Sequence, residues 1–165
     1  MRAEVTNIIV AGLGGQGVLT ASDILAKALA RAGYDVKKSE IKGMSQRGGS
    51  VTSDVRFGRQ VFSPMVPAGE ADYLLVLDAA QVEVHRHMVR SGGVVIAPDA
   101  VDAGRLSSRK ELNVALLGVL SVHLPVGEGD WLAVLRERFG PESFEANRAA
   151  FLHGRACDAP AHTSG

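Results

Sequence analysis

Residues 7 to 18 read NIIVAGLGGQGV. The run from Asn7 to Ala11 is continuously apolar, short, and stopped by glycine, as a strand buried on both faces of a parallel sheet should be. After it, Ala21, Ile24, Leu25, Ala28, Leu29 and Ala32 recur at helical spacing until Gly33 ends the pattern. The segment is therefore strand, glycine turn, helix. Gly12, Gly14 and Gly17 place a GxGxxG pattern at the turn. Gly12 permits the bend, Gly14 lets a ligand come close to the backbone, and Gly17 lets the helix lie near the sheet. The free N–H groups at the start of that helix make an anion site. Taken alone the pattern is weak, because any tight strand-to-helix turn favours glycine.

Working outward, Tyr34 to Ile41 resumes extended character, so residues 7 to 41 form a βαβ unit with a right-handed crossover. The next eight residues, 43 to 50, read GMSQRGGS and offer only Met44 to a core. Val51, Ser53, Val55 and Phe57 then alternate with polar residues, and Gly58 and Arg59 turn that strand into a hairpin with residues 60 to 62. Residues 73 to 77 and 94 to 97 are further buried strands, separated by a short helix from Ala79 to Val89 that Asp78 introduces. The last third is helical: an apolar helix at 113 to 124, one capped by Asp130 that carries Trp131 and Leu135, and one that starts at Pro141. The expected fold is α/β, a Rossmann-like three-layer domain with a mixed, mostly parallel sheet and a β-hairpin after the second strand. It forms one domain over residues 1 to 156, and residues 157 to 165 form a polar, flexible tail.

Composition narrows the function. The 165 residues are 46% hydrophobic, enough for a core without disulfides or metal, and 18 basic residues balance 18 acidic ones. No basic block marks a nucleic-acid footprint, and near-zero net charge leaves the chain open to association with other subunits or with itself as a homodimer. Cys157 is the only cysteine, so this chain alone builds neither a disulfide framework nor a CxxC-type cluster. The N-terminus lacks a secretory pattern and no apolar run reaches the ~20 residues needed to cross a bilayer. The expectation is a cytoplasmic protein that binds neither membrane nor nucleic acid.

In an open α/β sheet, ligands gather outside the carboxyl ends of strands, so the glycine turn and GMSQRGGS face one crevice. Arg47 offers a planar fork suited to phosphate or carboxylate, and Gly48 and Gly49 allow close approach of a ligand or another chain. The plainer reading pairs Arg47 with a local carboxylate and uses the glycines only to start a strand. An NAD(P)-binding reading uses Gly12, Gly14 and Gly17 with Glu40 on the second strand as the ribose partner, but the chain supplies no substrate domain. His85 and His87, two apart on a helix, diverge and read as surface residues, whereas His123 reads as a core histidine. Cys157 has no activating partner in sequence. Neither a P-loop nor a GxSxG elbow is present.

The order NIIVAGLGGQGVLTASDILAKAL, KSEIKGMSQRGGSVTSDVRFG, VFSPMVPAGEADYLLVLD resembles the gamma subunit, or gamma domain, of the 2-oxoacid:ferredoxin oxidoreductases. That family includes the pyruvate, 2-oxoglutarate, 2-oxoisovalerate and indolepyruvate enzymes. NVALLG at 113 to 118 and FEANRAAFLHG at 144 to 154 are similar to its closing helices. The resemblance implies oxidative decarboxylation of a 2-oxo acid to an acyl-coenzyme A and carbon dioxide, with electrons passing to ferredoxin. It implies an accessory chain, inactive alone and holding no cofactor tightly. Thiamine diphosphate, Mg2+ and iron–sulfur clusters would sit on partner subunits, and ferredoxin would be reached through the complex. It places no catalytic residue and no metal ligand here. Gly12, Gly14, Gly15, Gln16 and Gly17, with Gly43, Met44, Gln46, Arg47, Gly48 and Gly49, would meet coenzyme A or a partner chain. A pure assembly scaffold is the remaining alternative.

Overall fold

The computed structural model describes residues 4–42, 49–157 and 162–163. Strand β1 (Thr6–Leu13) leads through the glycine turn into α1 (Val18–Arg31), followed by β2 (Asp35–Lys42), β3 (Ser50–Gly58) and β4 (Ala71–Val76). The single turn α2 (Val82–His85) lies between two 3-10 turns, Ala79–Gln81 and Arg86–Met88, and β5 (Val89–Ile96) follows. Three more 3-10 turns, Pro98–Ala100, Ala103–Arg105 and Arg109–Glu111, lead into α3 (Leu112–Ser121), α4 (Glu128–Arg138) and α5 (Pro141–Arg155). Residues His162–Thr163 add a short β6.

The strand order is β2-β3-β1-β4-β5-β6. β1 pairs parallel with β4, and β4 with β5, while β3 runs antiparallel to both β1 and β2, and β6 antiparallel to β5. The mixed α/β sheet is as the sequence indicates, but it is not mostly parallel: three of its five strand pairings are antiparallel, and two local differences account for much of this. The chain reverses between β2 and β3, so the hairpin is β2 with β3, and residues 60 to 62 form no strand. Instead the Val61 N–H donates to the Asp35 carboxylate at 2.8 Å, and Val61 is buried while Phe62 is exposed. As a result β3 lies between β1 and β2, which run the same way without pairing. The composition of the strands explains this choice. β2 reads DVKKSEIK, charged enough to serve as an edge, whereas β3 buries Val55 and Phe57 and belongs inside the sheet.

Alternation along the strands divides the core. Ile8, Val10, Val55, Phe57, Leu75 and Ile96 face a cluster built with α1, α3, α4 and α5. Ile9, Ala11, Leu74, Val76 and Val95 face the opposite side, beneath Val66 and beside the half-buried Val82 and Met88. All four long helices thus share one face, and the third layer is thin: the 59–70 segment and the turns around α2. Buried Asp54 holds that segment down by accepting from the Val66 N–H at 2.9 Å. Burial raises the Asp54 pKa above the usual carboxylate value, against the lowering effect of that hydrogen bond.

The helical third is arranged around two glycines. α3 is buried over nearly its whole surface, and α5 crosses it with Gly118 and Gly154 at the contact. A β-carbon on Gly154 would run into the Ala115 carbonyl, and one on Gly118 into that of Phe151. Only glycine lets the two backbones come this close. Trp131 from α4 and Phe151 from α5 fill the space beside the crossing, ring centroids 5.5 Å apart. Asp130 is not the cap of α4, since Gly127 holds that position. Asp130 sits in the first turn, where its charge favours the helix dipole, and pairs with Arg31 at 3.0 Å.

Candidate functional site

Because β1, β4 and β5 run parallel, their carboxyl ends meet at one edge of the molecule, and three turns are tied together there. The Gly14 N–H donates to the Gly49 carbonyl at 2.9 Å, joining the glycine turn to the exit of the GMSQRGGS segment. Gln16 braces the turn from within: its Oε1 accepts from the Leu13 N–H at 2.8 Å and its Nε2 donates to Asp78 at 2.9 Å. Asp78 in turn caps the 79–81 turn through the Ala80 N–H at 3.0 Å. Ser50 donates to Gln81 Oε1 at 2.7 Å, and His85 Nε2 lies 3.3 Å from the same oxygen. Burial, followed by the charge of His87, lowers the His85 pKa. The turns after β1, before β3 and after β4 therefore hold one another in place.

Each glycine of the turn has its own cause. A β-carbon on Gly12 would come within 2.9 Å of Gln16 Oε1 and Val18 Cγ2. Gly17 caps α1 at φ 86, and its missing side chain leaves room for Asn113, whose Nδ2 donates to the Gly17 carbonyl at 3.2 Å. Gly15, at φ 88, has open space where a side chain would be, so its backbone is reachable from outside. α1 has no side-chain cap and no acid in its first turn, which leaves its positive end available to an anion.

A cavity of about 650 Å³ opens beside this turn. Gly15, Gly17 and Thr20 line it together with Arg109, Lys110, Asn113, Arg138 and Phe139. Its volume lies within the range of small-ligand sites. Sequence reasoning missed its lining by Arg109, Lys110, Asn113 and Arg138, because these residues lie in different elements and no basic block announces them. Of the sequence-derived candidates, Gly12, Gly14, Gly15, Gln16, Gly17 and Gly49 come together at the turn. Gly43, Met44, Gln46, Arg47 and Gly48 lie outside the described residues.

Other candidates separate from the site. Glu40 lies on β2, opposite Ser53 of β3, which in turn faces Val10 of β1. One strand thus intervenes between Glu40 and the glycine strand, roughly 9 to 10 Å at ordinary strand spacing. Its carboxylate pairs with Lys38 at 2.5 Å. That removes the adjacency on which a ribose contact depends. His123 falls beyond the end of α3, exposed and with its ring against Tyr73, rather than in the core. The Cys157 thiol donates to the His153 carbonyl at 3.2 Å. Among the described residues no group of three or more His, Cys, Asp or Glu is placed to hold a metal, and no helix is long and apolar enough to cross a membrane.

The fold and the site define an α/β domain with a glycine turn and a cationic cavity at the carboxyl ends of its parallel strands. The family described as pyruvate ferredoxin/flavodoxin oxidoreductase matches residues 7–157, and the chain belongs to it. Subunit IorB of indolepyruvate oxidoreductase from Thermococcus kodakarensis is 33% identical over 90% of this chain and 93% of its own length. The gamma subunit of a keto/oxoacid ferredoxin oxidoreductase from Geobacter sulfurreducens superposes with a TM-score of 0.75 at 23% identity, covering 90% of this chain and 95% of that one. A 2-oxoglutarate:ferredoxin oxidoreductase from Magnetococcus marinus, solved with 2-oxoglutarate, coenzyme A and succinyl-CoA bound, superposes with a TM-score of 0.80 at 22% identity. That match covers 94% of this chain and 31% of the larger one, so the same fold occurs there as one part of a longer polypeptide.

Proposed function

We propose that this chain is the accessory subunit of a coenzyme A-dependent 2-oxoacid:ferredoxin oxidoreductase, closing one side of the coenzyme A site and docking the catalytic subunit. The Gly14–Gly49 hydrogen bond carries the proposal, because it joins the two glycine segments at one edge, next to a cavity of ligand size. The residues present suit coenzyme A. The cavity wall has Arg109, Lys110 and Arg138 and no carboxylate, and Gly15 leaves its backbone open to a phosphate.

Coenzyme A supplies the thiol that accepts the acyl group, while this chain's residues bind and orient. Gly15 and Gly17 present backbone at the start of α1, and the Gln16–Asp78 pair keeps the turn from shifting as a ligand enters. The family motif assigns Gln46 and Arg47 to contact with the coenzyme or the catalytic subunit. The iron–sulfur clusters belong to partner chains, since one cysteine cannot ligate a four-cysteine cluster, and the family resemblance assigns thiamine diphosphate and Mg2+ to partner chains as well. The assembly works in the cytoplasm.

Arg47→Ala in the assembled complex tests the assignment. A lost charge-assisted contact of about 1.5 to 3 kcal/mol raises the KM for coenzyme A by roughly tenfold to a hundredfold, with the subunits still co-eluting. An unchanged KM in an intact complex removes Arg47 from the coenzyme site. Failed assembly with no selective coenzyme defect makes Arg47 a docking residue only.

A further inference from the structure

We infer that the sheet face opposite the four long helices docks an unlike subunit of the complex, with Phe62 and Met65 as anchors and an uncharged, apolar hollow on the partner as their receptor. The inference deepens the subunit reading and rests on it. Its basis is the uneven cover of the sheet. A sheet with a parallel core is ordinarily covered on both faces, yet here all four long helices share one. The other carries only the 59–70 segment and the turns around α2. Among the described residues five large hydrophobic side chains are exposed, and four of them, Ile41, Phe62, Met65 and Val84, lie on this thin side. Ile41 belongs to it by register: Ile41 and Ala11 both stand opposite Thr52, and Ala11 is buried in the cluster on that side.

The 59–70 segment has neither helix nor strand, and side chains of the sheet hold it by its backbone. Asp35 accepts from the Val61 N–H at 2.8 Å, and Arg56 donates to the Ser63 carbonyl at 2.8 Å. Asp54 accepts from the Val66 N–H at 2.9 Å, and Asn7 donates to the Glu70 carbonyl at 3.0 Å. Pro64 and Pro67 restrict the segment further. Val61 and Val66 are buried, whereas Phe62, 85% exposed, and Met65, 55% exposed, stand between those ties and face solvent. A backbone fixed in this way keeps an aromatic ring and a thioether out of the core, and loses little entropy when a partner covers them.

Charge decides the kind of occupant. Residues 60 to 69 carry no charge over ten consecutive positions, in a chain that is 22% charged. Aromatic and methionine side chains with charge excluded have the composition of a protein–protein interface core, whereas nucleic acid or an anionic membrane calls for cations that this segment lacks. Family membership favours an unlike partner: the Thermococcus kodakarensis relative is named as a subunit, and the Magnetococcus marinus fold is one part of a longer polypeptide. A second copy of this chain is the competing occupant.

The test titrates the full chain onto the remaining subunits, purified from a strain without this chain, and measures the mass of the chain alone by light scattering. Phe62→Ser/Met65→Ser removes the anchors at exposed positions, and an unchanged melting temperature verifies the fold. Val122→Ser, an equally exposed hydrophobic position just after α3, is the control. The expected result is a dissociation constant raised about thirtyfold or more by the double variant and unmoved by the control. Equal binding by wild type and double variant overturns the inference and leaves the subunit reading standing. An equal loss with Val122→Ser also overturns it, because the effect is then not particular to this face. If the wild-type chain is a dimer that the double variant makes monomeric, with subunit binding unchanged, the face belongs to a second copy. A wild-type chain that does not bind the remaining subunits at all removes the subunit reading together with this one.

Discussion

Gly154→Ala is expected to destabilise the chain by about 3 kcal/mol or more, a large part of the 5–15 kcal/mol typical of a domain. Its β-carbon would meet the Ala115 carbonyl oxygen, with the carbonyl carbon at 2.8 Å and the Val119 nitrogen at 3.2 Å. These are backbone atoms of α3, and no rotamer change moves them aside. The helices must separate, and Trp131 and Phe151, both fully buried, lose packing with them. For a domain of this size the melting temperature should fall by roughly 6 to 12 °C or more. Gly140→Ala is the control: it lies at the cap of α5 with nothing within 4 Å of the added carbon, and should leave the melting temperature nearly unchanged. If both variants melt within about a degree of the wild type, the α3–α5 crossing described here is wrong.

The second large effect falls on the site itself. Gly17→Ala combines a backbone at φ 86, costing about 1 to 2 kcal/mol for an alanine, with a clash against the buried Asn113 amide. Relief requires Asn113 to give up its hydrogen bond to the Gly17 carbonyl, which moves the start of α1 away from α3. A shift near 1 Å at a ligand-positioning turn can cost about a hundredfold in rate, so coenzyme-dependent turnover of the complex should fall on that order. Gly15→Ala separates strain from displacement. It has a similar φ of 88 but open space around the new carbon, so it should cost stability by about 1 kcal/mol without disturbing Asn113. Equal turnover losses in the two variants would mean that Asn113 does not position the turn.

How far the sequence disclosed this arrangement depends on the reach of each signal. The glycine turn with its strand and helix was readable because every cause is local: an apolar run, a bend, then helical spacing from Ala21 to Leu29. The Pro141 start of α5 was readable for the same reason. The placement of β3 was not, since period-2 alternation tells which face of a strand is buried and nothing about which strands flank it. Residues 51 to 57 therefore suggested a hairpin with the residues after them rather than with β2. Gly118 and Gly154 lie far apart in sequence and become partners only when α3 and α5 cross. The cationic wall was hidden likewise: Arg109 and Lys110 precede one helix, Arg138 ends another, and the fold brings them to one cavity. The motif gives Gln16 to coenzyme A or a partner chain, whereas in the structure its amide is engaged with Leu13 and Asp78.

In the reading proposed above, this chain serves a coenzyme A-dependent oxidoreductase as one subunit among several. Its most direct test is to purify the complex anaerobically through a tag on this chain, then measure reduction of ferredoxin by 2-oxo acids with coenzyme A, with the chain present and after its selective removal. Other subunits should copurify, and coenzyme-dependent turnover should collapse without this chain and return when it is added back. A chain that purifies alone, or a complex that turns over equally well without it, would show that this chain is not a subunit the reaction needs.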